Sequence, residues 1–228
     1  MIKQNWKSAA IALLSVGVLT AQPTQAITII NGSFEDLADG AAPDFPPNAI
    51  TQGSFESNDT IFFFDEGITT LGGLVVLDAS VAGAAYNSGN RTPALLDNTT
   101  VRSFYFSFDP TGGSQSVSGT VEFDTDIIGL IFSSGSGGNP NTLAFSDGTL
   151  GRTDIAYTPA NVFRGIETND SITWQIDNRT LSFDNLTVTG ATVDQIRVVT
   201  AIPFEAETTA GLALISFYFG WRRLRQKN

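Results

Sequence analysis

Ser103-Phe104-Tyr105-Phe106-Ser107-Phe108, followed by Asp109-Pro110-Thr111-Gly112-Gly113, is the stretch on which the reading of this chain turns. Successive side chains of a strand point to opposite faces, so Phe104, Phe106 and Phe108 share one face and Ser103, Tyr105 and Ser107 the other. The Pro-Thr-Gly-Gly run is turn chemistry. Beyond it Val117, Val121 and Phe123 again fall on one face. This predicts a hairpin-like pair with a phenylalanine-rich inner face, as a core between two sheets requires.

The same alternation recurs outward in both directions, with turn residues every eight to twelve positions and almost no helical stripe. Further strands are expected at Ile27–Ile30, Thr60–Phe64, Leu74–Leu77, Ile127–Phe132, Asn141–Phe145, Ser171–Ile176, Leu181–Val188 and Gln195–Val199. That number suits an all-β body, a β-sandwich of the jelly-roll kind, over residues 27–202. Ser133 to Pro140 is a loop by composition, and Thr158 to Thr168 has room for one helical turn at most.

Composition narrows the chemistry. Of 228 residues 42% are hydrophobic and 15% charged, a balance that folds rather than stays disordered. Within 27–202 there is no lysine, and six arginines face 21 acids, a net charge of about −15. Such a field repels nucleic acid and anionic lipid and favours divalent cations or neutral partners. The chain has neither cysteine nor histidine, which removes disulfides, thiol nucleophiles, imidazole bases and the usual zinc ligands. Catalysis would rest on paired carboxylates, and 21 acids make pairs inevitable. The aromatic residues of the body are mostly Phe, with Trp174 its one tryptophan, which points to a core rather than to a sugar-stacking face.

Both ends differ from the body. Lys3 and Lys7, the apolar run Ala9 to Leu19 and Thr24-Gln25-Ala26 have the three-part layout of a secretory signal peptide, with cleavage expected between Ala26 and Ile27. The Sec translocon and signal peptidase are the partners that such a segment implies. At the other end Pro203-Phe204-Glu205 precedes an apolar stretch from Thr208 to Trp221, then Arg222-Arg223-Leu224-Arg225-Gln226-Lys227. Fourteen helical residues span about 21 Å against a hydrocarbon core of ~30 Å, which suits a transient transmembrane helix better than a permanent one. The basic tail belongs on the cytoplasmic side and Trp221 at the interface, so the body lies outside.

The order of motif, apolar helix and basic tail resembles the PEP-CTERM class of sorting signals, in a form where Pro203-Phe204-Glu205 replaces Pro-Glu-Pro. The resemblance covers about the last 26 residues. It implies processing by an exosortase-type membrane enzyme, transient membrane anchoring, and delivery to the cell surface or extracellular matrix, in association with exopolysaccharide. Arg164-Gly165-Ile166-Glu167 and Asp194 to Thr200 resemble segments of other anchored β-rich surface proteins, and Arg197 reads as one member of a surface ion pair of little energetic worth.

The opening Asn31-Gly32-Ser33-Phe34-Glu35 and the later Leu181-Ser182-Phe183-Asp184-Asn185-Leu186 resemble the first and closing strands of carbohydrate-binding-module-like jelly rolls. That resemblance implies neighbouring strands on which Glu35 and Asp184 hold a structural calcium ion. The apolar alternation slips at Asp184-Asn185, as at a β-bulge. Asp124-Thr125-Asp126 lacks EF-hand spacing and reads as a solvated turn. The expected function is that of an exported, non-enzymatic surface or matrix protein. The alternative is a carbohydrate-binding module or a carboxylate-dependent glycan hydrolase on the same scaffold, with Trp174 as a contact.

Overall fold

The computed structural model describes residues 27–37, 48–135, 140–159, 164–189 and 192–202. The signal segment through Ala26 and the sorting segment, with Pro203, Phe204, Glu205, Trp221, Arg222, Arg223, Arg225 and Lys227, lie outside the described residues. The expectation of an all-β body holds.

One five-stranded sheet runs in the order β1 (Ile27–Gly32), β9 (Ser114–Phe123), β13 (Thr180–Thr189), β12 (Ser171–Trp174), β6 (Ala84–Tyr86). The other runs β10 (Ile127–Ile131), β14 (Asp194–Thr200), β8 (Thr100–Phe108), β4 (Ile61–Thr70), β2 (Phe34–Asp36). Two short pairs complete the strands: β3 (Ala49–Ile50) with β11 (Ala156–Tyr157), and β5 (Val75–Leu77) with β7 (Ala94–Leu96).

Phe104, Phe106 and Phe108 do face inward, as their alternation predicts. Their strand β8 is not, however, the hairpin partner of β9: β8 is bonded to β14 and β4, and β9 to β1 and β13. The turn Asp109–Gly113 therefore carries the chain from one sheet to the other. Alternation specifies which residues share a face, while strand partners depend on contacts far away in sequence. Phe123 of β9 accordingly meets Phe104 and Phe106 across the core, with ring centroids 5.3 and 6.2 Å apart. Phe183 of β13 lies 5.1 Å from Phe106 and completes this inner cluster with Val121, Leu181, Ile196 and Val198.

A second difference concerns Asn141–Phe145, expected as a strand. Thr142–Asp147 forms the helix α1 instead. The Asn141 side chain caps it by accepting a hydrogen bond from the Ala144 amide at 3.0 Å. Strand geometry would place Leu143 and Phe145 on one face; the helix buries Thr142, Leu143 and Ser146 and leaves Phe145 exposed. Asp78, fully buried, holds the same helix start by accepting from the Phe132 and Ser133 amides at 2.7 and 2.8 Å and from Thr142 Oγ1.

Helix α1 and the two short strand pairs cover the outer face of the second sheet. Leu143, Leu150 and Ile155 pack there with Phe62, Phe64, Tyr105 and Val199 in a second apolar cluster. Strands β8 and β14 are thus buried on both faces, which is why every residue from Asp194 to Thr200 is withdrawn from solvent.

Candidate functional site

Within this covered outer face lies a layer of buried charge. On β14 the even-numbered Ile196 and Val198 point inward, so Gln195, Arg197 and Val199 point to the helix side. Arg197 is fully buried and forms a two-pronged pair with Glu66 of β4, Nε to Oε2 at 2.6 Å and Nη2 to Oε1 at 2.8 Å. Its remaining N–H groups donate to Ser146 Oγ, to the Leu143 carbonyl at 3.4 Å and to Asp147 Oδ1 at 3.1 Å. Tyr105 and Tyr157 lie against the guanidinium, 5.0 and 5.4 Å from ring centroid to the guanidinium carbon.

The layer extends sideways. Tyr157 Oη donates to Glu66 Oε1 at 2.7 Å and accepts from the Arg152 amide at 2.9 Å. Tyr105 Oη donates to Gln195 Oε1 at 2.7 Å, and Gln195 Nε2 donates to Thr158 Oγ1 at 3.1 Å. Arg164, also fully buried, donates through Nη2 to Asp147 Oδ2 at 2.6 Å, while its Nε and Nη1 have no protein partner. Gly165 follows it at φ +102°, and a Cβ there would stand 2.1 Å from the Phe132 carbonyl oxygen, so only glycine lets Arg164 reach this depth.

Burial pushes both tyrosine hydroxyls well above their ordinary range, and the Glu66 carboxylate adds to the rise at Tyr157. Burial works to lower the pKa of Arg197, and Glu66 outweighs it so that the guanidinium is held still more firmly charged. Asp147 is raised by burial, with Arg164 and Arg197 pulling it back. Each carboxylate oxygen of Glu66 is already engaged by a guanidinium N–H, and Oε1 also by Tyr157. The arrangement is therefore a clamp that joins β4, β14, β11 and α1, with both oxygens of Glu66 engaged within the protein. Arg197 is not the surface ion pair expected from the sequence. The available signal was its setting, a lone charge among Ile196, Val198 and Val199.

A second polar cluster sits at one end of the inner core. Asp194 begins β14 and shares the inward face of Ile196 and Val198. It is 2% exposed, and its Oδ2 has no protein partner. Asp170 and Glu167 approach it from the segment before β12. Asp170 is equally buried, with Oδ2 accepting from the Glu167 amide at 2.5 Å and Oδ1 from the Thr187 amide at 2.8 Å. Burial raises all three carboxyls, and Asp170 and Glu167 raise Asp194 further by repulsion.

The candidates drawn from resemblance are placed differently. Ile27 begins β1 at the edge of its sheet. The β-bulge expected at Asp184-Asn185 is present, as a register shift between Phe183 and Leu186. Strand β9 separates β1 from β13, however, so the first and closing strands are not neighbours. Glu35 stands on β2 opposite Phe62, on the covered face of the second sheet, where it is exposed at the edge. Asp184 lies on the outer side of the first sheet and accepts from Thr173 Oγ1 and Ser171 Oγ. The two carboxylates thus point from opposite sides of the molecule and do not fit one calcium ion. Trp174 is 2% exposed in the inner core, so it offers no ring to a sugar and the contact expected of it in a glycan-binding alternative is overturned. Asp126, in the expected solvated turn, pairs with Arg179 at 3.0 Å.

No family model, no curated protein and no solved structure matches this chain.

Proposed function

We propose that the protein is exported, processed at both ends and displayed as a non-enzymatic body at the cell surface or in an exopolysaccharide-rich extracellular matrix. In this reading the Sec translocon and signal peptidase release the chain before Ile27, and an exosortase-type enzyme acts near Pro203-Phe204-Glu205 while the apolar stretch Thr208 to Trp221 holds the membrane. The body is a β-sandwich of the jelly-roll type, a reading supported by two five-stranded sheets with a common core.

The observation that carries this reading is where the fold meets the two terminal signals. Strand β1 begins at Ile27, the residue after the expected cut, and β14 ends at Thr200, three residues before Pro203. Removal of both segments leaves every strand of the described residues whole. The buried clamp supports the non-enzymatic part, because its charges are consumed by one another. Deletion of Arg222 to Lys227, or replacement of Pro203-Phe204-Glu205 by alanines, is expected to leave uncleaved protein in the membrane fraction. Normal processing and surface delivery of both variants would overturn the proposal.

A further inference from the structure

The two five-stranded sheets end in four strands, and three of these edges are guarded. Strand β10 is covered by the chain that follows β5: the Asp78 amide donates to the Leu130 carbonyl at 2.8 Å, and the Leu130 amide to the Ala79 carbonyl at 3.0 Å. Strand β2 is three residues long and carries Glu35 and Asp36. At β6 the Asn90 side chain donates to the Ala85 carbonyl at 2.7 Å. Cover, charge and shortness keep a sheet edge from pairing with another chain. Strand β1 has none of these. It is six residues long, from Ile27 to Gly32, without charge or proline, and Ile29 and Ile30 are 44% and 51% exposed.

The register of β1 fixes what that edge presents. The Phe123 amide donates to the Arg179 carbonyl at 3.0 Å, on the β13 side of β9. Neighbouring residues of an antiparallel strand turn their backbone groups to opposite sides, so Glu122 turns toward β1 and its partner Thr28 turns back to it. Ile27 and Ile29 therefore direct their N–H and C=O groups away from the sheet. Residues opposite each other share a face, which puts the Ile27 and Ile29 side chains on the side of Phe123 and Val121, and Thr28 on the outer side with Glu122.

We propose that β1 pairs with β1 of a second copy of this chain, antiparallel about a two-fold axis at Thr28, joining the two first sheets edge to edge. The strand is self-complementary about that axis: Ile27 of each copy meets Ile29 of the other and the outward backbone groups of both are satisfied. The four isoleucines form one apolar row, and the two Thr28 side chains meet on the opposite face. Charge points to the same strand. Each body carries about −15, so copies repel except where acids stay apart. The acid beside β1 is Glu122, and across the joint the two Glu122 residues are three strand spacings apart, about 14 Å, beyond the ~8 Å over which charges act at physiological salt. The joint is small beside the roughly 1,000 Å² of a stable interface, so pairing is weak and needs high local concentration. It does not depend on export or processing.

The test is disulfide trapping in the full chain, held in mild detergent so that its two apolar terminal stretches stay apart. The protein has no cysteine, so a single Thr28→Cys reports on one contact. Directly opposed residues of an antiparallel pair lie within disulfide reach. At about 0.1 mM protein with a mild oxidant, Thr28→Cys is expected to give at least about five times the linked dimer of Ser116→Cys, an equally exposed position on β9. Adding Ile29→Glu to Thr28→Cys, at an exposed position where the fold is kept and checked by circular dichroism, should return the yield to that of the control, since like charges then face each other. Raising NaCl from about 20 to 200 mM should increase the yield by screening the acidic bodies. Equal linking of Thr28→Cys and Ser116→Cys overturns the proposal, as does a yield untouched by Ile29→Glu or one that falls with salt.

Discussion

The two faces of the second sheet are made by the same strands and held together by different physics. Toward the first sheet, β8 and β14 present Phe104, Phe106, Ile196 and Val198 in a dry, ring-packed core. Toward α1 they present Tyr105, Gln195 and Arg197, the last ion-paired with Glu66 at zero exposure. The inner face tolerates imprecision, because apolar contact is non-directional and loses only the area or volume that a substitution removes. The outer face does not: a guanidinium without its carboxylate keeps its full desolvation cost. Removal of one group should therefore matter more outside than inside, although the outer layer is the more polar.

The sharpest way to break that contrast is Arg197→Ala, which strands Glu66 in the interior. It is expected to cost about 3–5 kcal/mol in urea denaturation followed by fluorescence and circular dichroism. A loss under about 1 kcal/mol would mean that water reaches the layer and the contrast is false. The double replacement Glu66→Leu with Arg197→Met sharpens it. Apolar side chains in place of a buried pair are often neutral or stabilising, so most of the loss is expected to return. If α1 then loses amide-exchange protection while global stability recovers, the clamp serves to place the helix rather than to hold the fold.

Next in size is the inner neighbour on the same strand. Ile196→Val removes one methylene from the core and is expected to cost about 0.5–1.5 kcal/mol. The smallest effect belongs to an exposed pair of the kind that the sequence suggested for Arg197. Arg179→Ala, which breaks the pair with Asp126, is expected to change stability by at most ~1 kcal/mol, less still at high salt.

Acidity offers one more comparison, between Asp194 and the solvated Asp154. Burial lifts the Asp194 pKa well above its usual value, so the folded protein holds that proton more tightly than the unfolded chain does. Stability should then fall as pH rises from about 4 through the raised value, and Asp194→Asn should flatten that slope. Asp154 is lowered by its hydrogen bond from Arg152 and contributes in the opposite sense, with any stabilisation lost toward acid. A pH series of denaturation midpoints separates the two.

Much of this architecture was legible in local pattern. The inward set Phe104, Phe106, Phe108, Val117, Val121 and Phe123 followed from period-two alternation alone, as did the bulge at Asp184-Asn185. Helix α1 was missed because Asn141-Thr142-Leu143-Ala144-Phe145 is too short to show a period, and its strongest helical cue is a single capping side chain. Short strands such as β2, β3, β7 and β11, of two or three residues, carry no alternation to read.

By itself the sequence determined that the body is made of strands, which residues of each strand share a face, and that no histidine or cysteine chemistry is open to it. These are local properties, set by backbone periodicity and by composition. Only the tertiary structure decided that β8 and β9 face each other from different sheets, that Glu35 and Asp184 lie on opposite sides, and that Arg197 meets Glu66 from 131 positions away. Charge pairing of that kind depends on which strands become neighbours and on what covers them, and no local pattern encodes either.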